Sequence, residues 1–139
     1  EEYFNKYSGL QKYFDDITAE AEEKGYVTTI LGRRRYIKNI NSRNGNLKNN
    51  AKRTAINAPI QGSSADLIKV AMVNIYNEFE KQNLKSKMIL QIHDELVFDT
   101  YKPELEKVKN IVETEMKNAI QFNVPIEVSI GESDTLLDA

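Results

Sequence analysis

Cysteine is absent from this chain of 139 residues, and histidine occurs once. The absence of cysteine excludes disulfide bonds and thiolate metal sites and is typical of a reducing, intracellular setting. A single histidine excludes a zinc cluster built on histidines. No apolar run approaches the about 20 residues that a bilayer requires, and the first residues form neither a secretory signal nor a transit peptide. We therefore expect a cytoplasmic protein without membrane contact.

Acidic residues are missing from one long stretch of a chain that has 21 of them. Residues 24–65 contain no Asp or Glu, and nine of the 19 Lys and Arg residues fall in this window. The rest of the chain therefore carries 10 basic residues beside all the acidic ones. A basic segment next to an acidic body attracts a polyanion to one face. We favour phosphate contact over the alternative of a merely solvated basic loop.

Apolar residues at helical spacing predict one helix at the start of the chain and another near its end. The first has an apolar stripe over residues 3–21 and stops at Gly25. The later helix has Pro103 near its first turn and a buried stripe over residues 105–119. Because the first pattern is already under way at the first residue, we expect the chain to be a piece of something larger.

The middle of the chain predicts two further helices with a break between them. A short helix over residues 47–56 ends before Pro59, since the residue before a proline disfavours helical geometry. Ser63 and Asp66 form a variant of the capping box, so a second long helix is expected to begin there. Gln61 lies just before this start, and a polar helix start serves capping more often than ligand binding.

Strand patterns occur in three regions. Residues 26–31 and 35–37 predict a small basic hairpin, and residues 88–99 predict a central hairpin whose strands lie in a core. Residues 125–131 alternate apolar and polar side chains and predict a last strand. The sequence therefore predicts an α+β fold. In it one antiparallel sheet, formed by the central hairpin and the C-terminal strand, packs against long helices.

The tips of the two hairpins carry the residues suited to chemistry. Three successive arginines, residues 33–35, cannot all be buried, and a planar guanidinium donates to phosphate oxygens in pairs, so this tip is a candidate backbone clamp. His93, Asp94 and Glu95 form the other tip, where adjacent carboxylates suit a hard cation such as Mg²⁺. On its own, such a triplet is more often an ordinary solvated turn.

Four blocks of the sequence follow one another in the order and spacing of a known family. They are GYVTT at residues 25–29, GRRRY at 32–36, RTAINAPIQGSSAD at 53–66 and QIHDELV at 91–97. They closely resemble the C-terminal part of the family A DNA polymerases, the bacterial DNA polymerase I group, and the likeness covers nearly the whole chain. One departure follows Gly131, where the family usually has a tryptophan and this chain has none.

The resemblance implies template-directed DNA synthesis in replication or repair, with primer–template DNA and dNTP as partners. In the family, the aspartate matching Asp94 helps to hold two catalytic Mg²⁺ ions, the glutamate matching Glu95 supports the site, and the histidine matching His93 lies at the primer terminus. The positions implied in DNA contact are Arg33, Arg34, Arg35, Arg53, Asn57, Gln61 and Gln91.

The resemblance also implies an incomplete enzyme. Residues 1–139 correspond to a single C-terminal fragment of the polymerase domain, in which a helix over about residues 1–25 adjoins the fingers and residues 26–139 form a palm segment. The family's other metal-binding aspartate and its nucleotide-binding helix lie upstream, so we expect the fragment alone to bind Mg²⁺ weakly and not to polymerise. Two alternatives remain: a non-catalytic nucleic-acid-binding module, and a scaffold whose basic loop docks an acidic protein.

Overall fold

A computed structural model describes residues 6–135, other than the side chain of Ser8. The elements are α1 (Ser8–Lys24), β1 (Tyr26–Thr28), β2 (Arg34–Tyr36), α2 (Gly45–Lys81), β3 (Lys87–Ile92), β4 (Glu95–Asp99), a 3₁₀ helix (Lys102–Glu104) and α3 (Leu105–Asn118). Long helices with small antiparallel sheets confirm the predicted α+β class. The chain divides into two compact units, one that ends at Asp66 and one that begins at Leu67. None of the described helices is long and apolar enough to cross a membrane.

The first unit contains α1, which ends at Gly25 as predicted. Gly25 has a φ of 76°, and its N–H donates to the carbonyl oxygen of Ala21. This left-handed geometry is the one in which glycine commonly ends a helix. Ala21 is buried with Ile17 packed against it, whereas Tyr7 is about half exposed. The predicted stripe is thus buried near its C-terminal end, and Tyr3 lies outside the described residues.

Strands β1 and β2 form the predicted small hairpin, with shorter strands than the sequence indicates. Tyr26 pairs with Tyr36 and Thr28 with Arg34. The ladder stops there because residues 29–33 form a turn in which the Gly32 N–H donates to the Thr29 carbonyl. The core of this unit consists of Ala21, Val27, Ile37, Ile40, Ala51 and Ala55.

Helix α2 corrects the prediction of two separate helices. One helix runs from Gly45 to Lys81, with Pro59 inside it. Proline removes one backbone hydrogen bond, but Ala55 before it and Ile68 after it are both buried, so packing holds the helix on each side. The predicted capping box is wrong for the same reason: residues 63–66 lie well inside α2, where the helix itself satisfies the backbone N–H groups.

The second unit contains the predicted central hairpin and third helix. Its core is formed by Ile75, Phe79, Val108 and Val112, with Met88, Leu96 and Phe98 packed against it. Elsewhere in β3, Ile89 is 57% exposed, Leu90 42% and Ile92 44%. The prediction that both strands lie in a core is therefore wrong for most of β3, since Met88 is the residue of that strand that packs against the core cluster.

The predicted last strand is not formed. Residues 125–131 are irregular, although Ile126 and Val128 are half-buried in the predicted alternation. A strand requires a neighbour that takes its backbone hydrogen bonds, and each sheet in the described part of the chain consists of two strands. The expected single sheet of a hairpin plus a C-terminal strand is replaced by two separate hairpins.

Candidate nucleic-acid interface

A basic groove lies between the small hairpin and one face of α2 in the first unit. The groove is lined by Thr29, Arg33, Arg34, Arg35, Arg53, Thr54, Asn57, Ala58, Gln61, Gly62 and Ala65. None of these lining residues is acidic, and four are arginines. We call this surface the arginine groove. Its charge favours a polyanion, in agreement with the acid-free window of the sequence.

Three of the predicted DNA-contacting residues share one face of α2. Arg53, Asn57 and Gln61 are spaced by four residues, so their side chains lie one above the other along the helix, and all three are exposed. Sequence reasoning placed Gln61 outside a helix because Pro59 suggested a break. The four-residue spacing was the signal that could have placed all three on one helical face.

The three arginines of the small hairpin differ in their contacts. Arg34 lies with its guanidinium carbon 4.8 Å from the centre of the Tyr26 ring, a distance that suits a cation–π interaction. Arg35 is exposed and pairs across the hairpin with Val27. Arg33 instead contacts α2: its Nη2 lies 2.8 Å from Oδ1 of Asp66. The structure therefore distinguishes Arg34 and Arg35 from Arg33, which is paired with Asp66 although its side chain is 54% exposed.

Strands β3 and β4 pair to form the central hairpin of the sequence prediction, which is the second hairpin of the chain. Its tip exposes His93, Asp94 and Glu95, as predicted, and we call these three residues the acidic tip. Ile92 pairs with Glu95, so the turn consists of His93 and Asp94. His93 has a φ of 54°, a left-handed conformation that is uncommon for residues with a side chain. Gln91 closes the turn, since its Nε2 donates to the His93 carbonyl oxygen at 3.0 Å.

The acidic tip provides part of a magnesium site but does not complete one. Asp94 and Glu95 are carboxylates, the protein ligands that Mg²⁺ prefers, and within residues 6–135 neither is engaged by a hydrogen bond or ion pair. No group of three or more such ligands is present in that range. Mg²⁺ commonly takes one or two carboxylates and completes its shell with water and substrate phosphates. The tip fits that role if further oxygens come from outside these residues.

A groove that suits phosphates and a tip that suits a hard cation are features typical of proteins that bind and process nucleic acids. The family model for DNA polymerase family A matches residues 1–138, and the chain belongs to this family. It is 43% identical to DNA polymerase I of Geobacillus stearothermophilus over 139 residues, which is 100% of this chain and 16% of that protein. It is 42% identical to DNA polymerase I of Bacillus subtilis over 137 residues, or 99% and 16% of the two chains.

The fold is similar to that of a solved polymerase. The POL domain of Pol1 from M. smegmatis, in complex with DNA primer–template and dNTP, matches with a TM-score of 0.90 and 43% sequence identity. The match covers 93% of this chain and 23% of that one. The chain thus spans a small part of its relatives, 16% of the two DNA polymerase I proteins named above.

Proposed function

We propose that this chain is the C-terminal part of the polymerase domain of a DNA-directed DNA polymerase that acts in replication or repair. The observation that carries the proposal is the composition of the arginine groove. Three of the four sequence blocks that resemble the family, residues 25–29, 32–36 and 53–66, each contribute to its lining. The fourth block, residues 91–97, forms the acidic tip. In this proposal residues 1–25 adjoin the fingers and residues 26–139 belong to the palm.

The arginine groove would hold the primer–template duplex. Exposed Arg34, Arg35 and Arg53 are suited to phosphate oxygens, because each guanidinium donates several hydrogen bonds in one plane. Asn57 and Gln61 can donate amide N–H groups to purine N3 and pyrimidine O2, acceptors that every base pair presents in the minor groove. These contacts detect the shape of a base pair without reading its sequence, as a polymerase requires.

The acidic tip would act at the primer terminus. Asp94 would be a magnesium ligand and Glu95 an auxiliary carboxylate, while His93 would position the primer end as a hydrogen-bond donor. Bound Mg²⁺ supplies charge neutralisation at the phosphates and lowers the pKa of a coordinated hydroxyl. Gln91 orients the turn through its bond to the His93 carbonyl, and we include it among the residues near the DNA.

The decisive test is Asp94→Asn in the full-length polymerase that contains this chain. We expect primer extension to fall by roughly 10²-fold or more, the cost of removing a group that stabilises transition-state charge. Primer–template affinity should change little, because Asp94 is not part of the arginine groove. Asp99→Asn, an exposed carboxylate at the far end of β4, is the matched control and should extend normally.

A salt series separates the proposal from its non-catalytic alternative. Arg53→Ala and Gln61→Ala should both weaken primer–template binding in fluorescence anisotropy. Arg53→Ala should also lower the slope of the logarithm of affinity against the logarithm of salt concentration, by the amount expected for about one phosphate contact. Normal extension by Asp94→Asn, together with weakened binding by the groove variants, would leave only a nucleic-acid-binding module.

A further inference from the structure

Asp66 is a buried carboxylate that none of the proposed polymerase steps uses. Its side chain is 7% exposed. Nε and Nη2 of Arg33 lie 2.9 and 2.8 Å from its Oδ1, and the Thr29 hydroxyl donates to its Oδ2. A buried carboxylate is costly unless charge and hydrogen bonds compensate it. Both oxygens of Asp66 are compensated here, and Arg33 and Thr29 both belong to the turn of the small hairpin.

Further contacts bind the same turn to α2. Arg33 Nη2 donates to the Gly62 carbonyl oxygen at 3.1 Å, and the Ile30 N–H donates to the Ser63 hydroxyl oxygen at 2.9 Å. A Cβ atom added at Gly62 would lie 2.5 Å from Cγ2 of Thr29. Residues 29–33 are therefore fixed against a single turn of helix, with no space between backbone and loop at Gly62.

The turn and the helix that this contact joins also carry the two walls of the arginine groove. Arg34 and Arg35 follow Arg33 directly in β2, while Arg53 and Gln61 lie on the helix that carries Asp66. A contact that fixes the turn on α2 therefore also fixes the position of Arg34 and Arg35 on one wall of the groove. Their position is fixed relative to Arg53 and Gln61 on the other wall. Preorganised side chains bind better than the same charges on a free loop, because less conformational entropy is lost on binding.

We propose that Arg33 and Asp66 are a positioning pair that locks the two walls of the arginine groove for the duplex, and that Arg33 acts through Asp66 instead of on a phosphate. The inference rests on the proposed function, in which this groove holds primer–template DNA. The positioning pair gives Asp66 a role in DNA affinity, although the carboxylate of Asp66 carries a charge of the same sign as DNA.

Simple electrostatics and the positioning pair predict opposite results for Asp66→Asn. Removal of a negative charge beside a polyanion should strengthen binding. Loss of the lock should weaken it. Arg33→Lys is a second discriminating change: a lysine serves a phosphate as a point charge, but it cannot reproduce the planar contact of a guanidinium with Asp66 and the Gly62 carbonyl.

The experiment measures primer–template binding and steady-state extension in the full-length polymerase. Asp66→Asn and Arg33→Lys should each raise the Kd for the duplex about tenfold, the scale of one lost charge-assisted hydrogen bond. At saturating DNA, Asp66→Asn should retain the kcat and the KM for dNTP, a split that general destabilisation would not produce. The double variant should be no weaker than either single one, because both break the same contact.

Unchanged or tighter binding by Asp66→Asn, with weaker binding by Arg35→Ala and Arg53→Ala, overturns the positioning pair and leaves the proposed function intact. Unchanged binding by Arg35→Ala and Arg53→Ala overturns the proposed function, and the pair with it. If circular dichroism shows that Asp66→Asn does not fold, Arg33→Lys decides alone: a tenfold loss supports the pair, and unchanged binding overturns it.

Discussion

The two units hold their charged residues by different means. In the first unit, the arginine groove is fixed by side chains, with Asp66 and Ser63 of α2 bonded to the turn of the small hairpin. In the second unit, the acidic tip depends on its backbone: a two-residue turn with His93 at a φ of 54°, closed by Gln91. The difference teaches that the chain itself completes the surface proposed to bind DNA, whereas the metal site proposed at the acidic tip needs further ligands.

The largest effect is expected from Ile75→Ala, which removes the support of the acidic tip. Ile75 is fully buried in the cluster against which the hairpin packs. The lost burial and the resulting cavity should lower the free energy of unfolding by about 2–5 kcal/mol, whereas Ile75→Val should cost about 0.5–1.5 kcal/mol. Urea denaturation of this chain measures both values.

Hydrogen exchange on Ile75→Ala shows whether the two regions are held separately. Amides of β3 and β4 should lose protection, while those of β1 and β2 should keep it, because the small hairpin packs in the other core cluster. An equal loss in both hairpins would contradict the distinction between the two units.

Gly62→Ala should disturb the arginine groove by overpacking the contact between α2 and the turn of the small hairpin. This is the opposite of Ile75→Ala, which leaves a cavity. The new Cβ would lie 2.5 Å from Cγ2 of Thr29, and overpacking typically costs about 1–3 kcal/mol. Thr29→Ser removes that methyl group and keeps the hydroxyl, so the double variant should recover most of the loss. Gly9→Ala on α1, where nothing lies within 4 Å, is the control and should stabilise by up to about 1 kcal/mol. Thermal unfolding compares the variants.

A pH titration should test the contact by which Glu104 holds Lys85 and Ser86, the residues just before β3. The pKa of Glu104 is lowered because its carboxylate accepts hydrogen bonds from the Ser86 hydroxyl at 2.7 Å and from the N–H groups of Ser86 and Lys85. A carboxyl with a lowered folded-state pKa stabilises fully above its unfolded value of about 4.3 and loses that contribution as pH falls through the folded value. Urea denaturation between pH 6 and pH 3 should therefore show a steeper loss for the native chain than for Glu104→Gln. Parallel curves would contradict this assignment.

The sequence predicted the elements that have local signals. Gly25 ends α1, and both hairpins and α3 appear where turn residues and apolar periodicity placed them. The break before Pro59 was wrong because packing outweighs the local cost of one proline. The true start of α2 did have a signal, since Oδ1 of Asn44 accepts the N–H groups of Asn46 and Leu47.

The positions of the candidate site residues were easier to predict than their contacts. The exposed residues of the groove and tip lie in the four sequence blocks, and the structure shows which of them share the groove. The partnership of Asp66 with Arg33 was not predicted, because it joins residues 33 positions apart, beyond the range of helical or strand spacing. The last strand failed for a related reason: alternation describes one strand, but only a neighbouring strand makes it part of a sheet.

The smallest effect is expected from His93→Gly, which tests whether the acidic tip is held by backbone alone. A non-glycine residue at a φ of 54° stores strain, and glycine relieves it while adding freedom to the unfolded chain. The net change in the free energy of unfolding should be a gain below about 1 kcal/mol. Extension by the full-length polymerase should nevertheless fall, because the proposed donor at the primer terminus is lost.

Asn83→Gly is the matched control for His93→Gly. Asn83 has a similar φ of 51° and follows α2, away from the tip residues in sequence. Asn83→Gly should give the same small gain in the free energy of unfolding, and the full-length polymerase that carries it should extend primers normally. A clear loss of stability in His93→Gly alone would mean that the His93 side chain anchors the tip, in which case the acidic tip and the arginine groove are held in the same way. A gain in stability with a loss of extension would instead indicate that the strained backbone is kept for the histidine that it presents.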